Sequence, residues 1–144
     1  MSHYDQLRRR FFERLNAELA SRSHKVPAGS SGGANWQRHN LGVPGIFLAS
    51  AIKKGEMKAE IVIQRPDARE IFVQLASEKA FIQRDFGSEL RWFGPTAGVQ
   101  RARITAFNPV PDIENTSDWD RQAEWLASKL DRLHSVFLPR VSRL

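Results

Sequence analysis

IFLASAIKKGEMKAEIVIQ, residues 46–64, holds two strand signals around one turn signal. Ile46 to Ile52 is an apolar run almost without charge, as expected of a strand in the middle of a sheet. Lys53, Lys54 and Gly55 supply the turn. From Met57 to Gln64, Met57, Ala59, Ile61 and Ile63 alternate with Lys58, Glu60, Val62 and Gln64, a period of two that puts the sets on opposite faces of a strand. The segment reads as a β-hairpin.

Upstream, Pro27 to Asn35 (PAGSSGGAN) reads as a flexible glycine- and serine-rich loop. Before it, Tyr4, Leu7, Phe11, Leu15 and Leu19 recur at steps of three and four, which predicts a helix over about Ser2 to Arg22. Ser2 is placed to cap it, with Asp5 three residues on. Arg8, Arg9, Arg10 and Arg14 lie largely off the apolar stripe. Downstream, Asp67 and Glu70 have capping-box spacing. Ile71, Leu75, Ile82 and Phe86 continue one helical face, broadened by Phe72 and Phe81, and Gly87 suits a left-handed stop. Leu90 to Phe93 and Val99 to Phe107 read as a second hairpin, with Arg101, Arg103 and Thr105 on one face and Ala102, Ile104 and Ala106 on the other. The last helix is predicted over Asp118 to Phe137, with Ser117 as N-cap and Pro139 as stop. Its stripe is Trp119, Ala123, Leu126, Leu130, Leu133 and Phe137, with Trp125 beside it.

The expected fold is therefore α+β, in the order α-β-β-α-β-β-α, with a mainly antiparallel four-stranded sheet and helices packed on it. Residues 1–144 are expected to form one domain, interrupted only by the loop at about 27–35.

The chain has no cysteine, which removes disulfides and thiolate metal sites. The N-terminal segment MSHYDQLRRRFFERL lacks the apolar core of a signal peptide, and no run approaches the roughly 20 apolar residues of a spanning helix. A cytoplasmic protein without a membrane partner is expected. Lysine and arginine total 22 against 16 acids, a net charge of +6, which favours polyanionic partners and also serves solubility.

Catalytic patterns are weak. Glu56-Met57-Lys58 resembles half of a restriction-type nuclease motif, but the preceding strand holds no acid to share a Mg²⁺ ion. His3, His24, His39 and His134 show no i, i+4 metal-binding pair. His39 is the one to follow, because it adjoins the glycine-rich loop, where polar groups can converge. Gly29-Ser30-Ser31-Gly32-Gly33 lacks the Gly-Lys-Ser/Thr ending of a P-loop, and no serine sits in a nucleophile elbow. No metal, cofactor or catalytic residue is expected, and enzymatic activity ranks last.

The basic and aromatic residues offer more. Arg91, Arg101 and Arg103 share one predicted sheet face, and Trp36 and Arg38 lie beside the loop. Such a face suits phosphate contact, with Phe93 or Trp92 near for stacking, although Arg91 and Trp92 point to opposite sides. The leading expectation is a non-catalytic interaction module contacting nucleic acid or a nucleic-acid-bound partner. The alternative is a protein–protein or homodimerisation module organised by the last helix, with Trp125 at the interface.

An ordered series of segments also resembles a known family. It comprises Phe11-Phe12 in the first helix, Trp36 before Leu41-Gly42-Val43-Pro44-Gly45, the strand Ala59 to Ile63 leading to Phe72 and Leu75, Phe86-Gly87-Ser88-Glu89-Leu90-Arg91-Trp92, the helix from Asp118-Trp119 to Trp125-Leu126, and Phe137-Leu138-Pro139-Arg140-Val141. Together these are similar to the bacterial and archaeal domain of unknown function 4268. That family often looks like the C-terminal partner of a restriction-nuclease-like domain, so the resemblance implies a link to DNA or to phage defence. Residues 1–144 show no nuclease-like part, so nuclease activity is not expected to carry over, and the family lends no catalytic residues.

Overall fold

The computed structural model describes residues 2–22, 26–31 and 35–144. His24 and residues 32–34 of the glycine-rich loop lie outside the described residues. The elements run α1 (His3–Ser21), β1 (Ser30–Ser31), β2 (Trp36–Val43), β3 (Ile46–Lys53), β4 (Glu56–Ile63), α2 (Ala68–Ala76), α3 (Lys79–Phe86), β5 (Arg91–Phe93), β6 (Ala102–Phe107) and α4 (Trp119–Val141), with a 3₁₀ turn, Thr116–Asp118, before α4. The sheet order is β1-β2-β3-β4-β6-β5, and every neighbouring pair is antiparallel. The α+β class holds, with six strands in place of four.

The hairpin of residues 46–64 forms as its pattern predicts, from Ile46↔Ile63 to Lys53↔Glu56, and Gly55 takes a positive φ in the turn. The second hairpin also forms, through Arg91↔Thr105 and Phe93↔Arg103. β6 lies between β4 and β5, so α2 and α3 carry the chain past a strand position that is filled later.

The sheet separates two unequal apolar groups. On one side Leu48, Ile52, Met57, Ala59, Ile61, Ile63 and Ile104 pack with the helices in the main core. On the other, Phe47, Ala49 and Val62 form a small cluster covered in part by Trp36. The α1 stripe Leu7, Phe11, Leu15 and Leu19 is fully buried in the main core, each side chain contributing roughly 1.5–3 kcal/mol. Phe11 meets Trp119 of α4 edge-on at 5.4 Å, and the Trp119 indole donates to the Ile113 carbonyl. Arg14–Asp120 and Arg22–Asp131 tie α1 to α4 at the rim.

Several local expectations are corrected. The first concerns Trp36 to Val43, which is a strand. Its inward side chains include Gln37 and His39, so its alternation of buried and exposed residues does not show in hydropathy. The helix predicted after Asp67 is two helices. At the break Ser77 Oγ donates to the Gln74 carbonyl and the Glu78 amide turns back to Leu75, tightening the chain out of α geometry. Asp67 makes no cap bond and pairs with Arg65. Ser117 does not cap α4; its hydroxyl bonds Asn115. Pro139 does not stop α4, which continues to Val141. Pro139 and Ser135 are both exposed, so the carbonyl that the proline leaves unbonded reaches water. Two capping expectations hold. Ser2 and Asp5 form a reciprocal capping box, and Gly87 ends α3 with φ 95°.

Candidate functional site

The sheet face turned away from the helices carries every sequence-predicted nucleic-acid residue. Strand parity and register build it row by row. One row is Trp36, Ala51, Lys58 and Phe107; the next is Arg38, Ala49, Glu60, Thr105 and Arg91. A third is Phe47, Val62, Arg103 and Phe93, and Arg101 and Gln64 lie beyond it. Trp36, Arg38, Arg91, Arg101 and Arg103 thus share one surface drawn from β2, β5, β6 and the approach to β6. Trp92 is on the opposite side, where its indole bonds Gln83 and its ring packs against Phe72. Phe93 is the ring on the basic face.

Rings and cations interleave across this surface. The Arg38 guanidinium lies 3.9 Å over the Phe47 ring, and Trp36 stacks on the same ring at 6.2 Å. Arg103 covers Phe93 at 4.8 Å, and Arg91 lies between Phe93 and Phe107. The face carries six cations, Arg38, Lys53, Lys58, Arg91, Arg101 and Arg103, against two acids, Glu56 and Glu60. Glu56 is shared by Lys53 and Lys58 at 3.7 and 3.6 Å, and Glu60 lies 3.4 Å from Arg103. Arg38, Arg91 and Arg101 have no acidic partner among the described residues, so their charge faces solvent.

At the centre is a hollow of about 230 Å³. Its floor is low because β3 presents Ala49 and Ala51 there. Trp36 rises from β2 on one side, and Lys58 and Glu60 from β4 on the other. Glu60 was not singled out from sequence. The signal was present in the alternation of Lys58, Glu60, Val62 and Gln64 on the non-core side of β4. Its Oε1 accepts from Thr105 Oγ1 at 2.8 Å and from Arg103. The half-motif Glu56-Met57-Lys58 lines the same hollow, but the described residues contain no group of three or more acids or histidines able to hold a metal ion.

His39 is enclosed on the helix side of β2. Its Nδ1 lies 2.9 Å from the Pro27 carbonyl and its Nε2 2.8 Å from Ser50 Oγ. A carbonyl only accepts, so Nδ1 carries the proton and Ser50 donates to Nε2. Burial holds the imidazole below its ordinary pKa, opposed in part by the Pro27 bond. This serine–histidine pair has the bonding of a nucleophile and its base, yet both side chains are fully buried. It fixes the segment before β1 onto the sheet. Gln37 acts alongside, bonding Asn16 of α1, which also receives the Gly29 amide.

Trp125 is half-buried against the main core on the helix side, with Lys129 Nζ 5.9 Å from its ring centre. Arg14 of the N-terminal basic cluster is engaged with Glu18 and Asp120, and Arg9 and Arg10 are exposed. No helix among the described residues is long and apolar enough to cross a membrane.

Residues 7–141 match the family described as Domain of unknown function (DUF4268). The chain belongs to that family. The open face, from Trp36 to Phe107, thus falls wholly inside the matched DUF4268 region. No curated protein matches the chain. Among solved structures, YbjN from E. coli, described as a candidate transcription regulator, aligns at 13% identity with a TM-score of 0.41, covering 85% of this chain and 87% of that one. That likeness is too distant to carry an argument.

Proposed function

We propose that this DUF4268 domain is a non-catalytic interaction module that holds single-stranded nucleic acid across the open sheet face. The observation that carries the reading is the interleaving of rings and unpaired arginines on one surface. Trp36, Phe47, Phe93 and Phe107 alternate there with Arg38, Arg91 and Arg101. Aromatic faces stack on unpaired bases, and arginines neutralise the backbone beside them. In a duplex the base faces are already stacked on one another and unavailable to these rings. The helices pack on the far side of the sheet, so none projects from this face into a groove.

Fluorescence anisotropy at low salt, with labelled single-stranded and duplex oligonucleotides of one sequence, tests the proposal. The expected result is saturable micromolar or tighter binding of the single strand, weakened by Trp36→Ala and little changed by Arg9→Gln on α1. Absence of single-strand binding at tens of micromolar protein, or equal loss in both variants, overturns it.

A further inference from the structure

We infer that the hollow over Ala51 seats one nucleobase bearing an exocyclic amine, with Glu60 Oε2 as the acceptor; this rests on the single-strand reading above. Glu60 is an unusual residue for a face built to meet phosphate, because a carboxylate repels it. Its side chain is only 8% exposed, and Oε1 is held by Thr105 and Arg103. Oε2 has no hydrogen-bond partner among the described residues, and the carboxylate lines the hollow. A largely buried acceptor, fixed in place by two donors on its sister oxygen, is preorganised for an incoming N–H group.

The dimensions suit a base and not a larger ligand. The volume of about 230 Å³ lies below the roughly 300–1,000 Å³ typical of sites for drug-sized molecules. The flanking strands β2 and β4 stand about 9.6 Å apart, two inter-strand spacings, and between them β3 presents the Ala51 methyl, with Phe47 and Lys53 toward the two ends of the hollow. A planar ring lying on the half-buried Ala51 meets Trp36 at one edge and reaches toward Glu60 at the other, because Ala49 itself is already covered by Phe47 and Trp36. Its phosphates remain near Arg38 and Arg101.

The chemistry gives a direction of preference. Cytosine, adenine and guanine carry an amine that can donate to Oε2. Uracil and thymine place a carbonyl oxygen where cytosine has its amine, setting acceptor against acceptor and leaving a buried carboxylate oxygen unpaired.

The test compares dC12 with dU12 by anisotropy. These oligomers share backbone and ring size and differ at that amine and at the adjacent ring nitrogen, which carries a proton only in uracil. Wild-type protein is expected to bind dC12 at least about tenfold more tightly, the scale of one hydrogen bond to a charged group. Glu60→Gln, which keeps the side chain's size, is expected to bring the ratio near one. Ala51→Leu fills the floor without touching Glu60 and should also abolish the preference, which covers the case in which the Glu60 variant does not fold. Equal binding of both oligomers by wild-type protein overturns the base seat and leaves single-strand binding standing. A preference that survives in either folded variant overturns this placement of the base. No binding of either oligomer removes the single-strand reading itself.

Discussion

The three unpaired arginines fix how steeply binding should respond to salt. Arg38 and Arg91 lie in one row of the sheet, separated by four inter-strand steps, or about 19 Å. Arg101 extends the charge to a further row beside the hollow. Lys53, Lys58 and Arg103 already face Glu56 and Glu60, so neutralising a phosphate with them displaces an internal counter-charge and not a bound cation. The number of phosphates neutralised outright is therefore set by three side chains. Each contributes about −0.7 to the slope of log K against log salt for a single strand, giving a slope of about −2.1. Between about 50 and 200 mM salt, affinity should then fall about 20-fold. Arg38→Gln, Arg91→Gln and Arg101→Gln should each lower the slope by about 0.7, whereas Arg103→Gln should change it by less. All three carry exposed side chains, so circular dichroism melts should stay close to wild type. Anisotropy titrations of one oligonucleotide at four or more salt concentrations measure the slope. A slope near zero, or one insensitive to all three substitutions, would refute the assignment of these arginines to phosphate.

Two further predictions concern stability. His39 has a folded pKa below its ordinary value of 6.5. As pH falls below that value, the unfolded chain takes up a proton that the native imidazole resists. Native stability should therefore decline from about pH 6.5 downward, and His39→Gln should remove that part of the slope in urea titrations; an unchanged pH profile would show that the imidazole is not titrating in this way. Gly45 and Gly55 both hold a positive φ, 73° and 77°, but a Cβ at Gly45 would run into Arg65 while one at Gly55 would meet nothing within 4 Å. Gly55→Ala should cost roughly 1–2 kcal/mol for the backbone alone, and Gly45→Ala should cost more. Equal midpoints in thermal melts of the two variants would count against that contact.

Much of this architecture is readable from residue spacing, for reasons that also explain the failures. The α1 stripe and the 46–64 hairpin are legible because apolar side chains alone set their inward faces. β2 is not, because Gln37 and His39 enter the interior with hydrogen-bond partners contributed by Asn16, Pro27 and Ser50, all distant in sequence. The same limit applies to the site. Parity along β6 places Arg101 and Arg103 on one face, and pairing adds Arg91. That Trp36 and Arg38 join them depends on β2 being a strand at all. Glu60 reads as an ordinary outward charge until β6 brings Thr105 and Arg103 to its carboxylate. The break between α2 and α3 depends on local bonds of Ser77 and Glu78, and the passage of α4 through Pro139 on the exposure of the carbonyl it frees, neither of which periodicity registers.

The position of β6 between β4 and β5 has a consequence for synthesis. Its partners on β4 lie 39 to 49 positions earlier, from Ile63↔Ala102 to Lys58↔Phe107, so a nascent chain that has just emitted Phe93 exposes the bare edge of β4 to whatever lies nearby. In that interval Glu60 has neither of its two donors, and Arg101 and Arg103 are not yet made. The open face is thus completed only when β6 is made, and a polypeptide interrupted before it has a sticky border there instead.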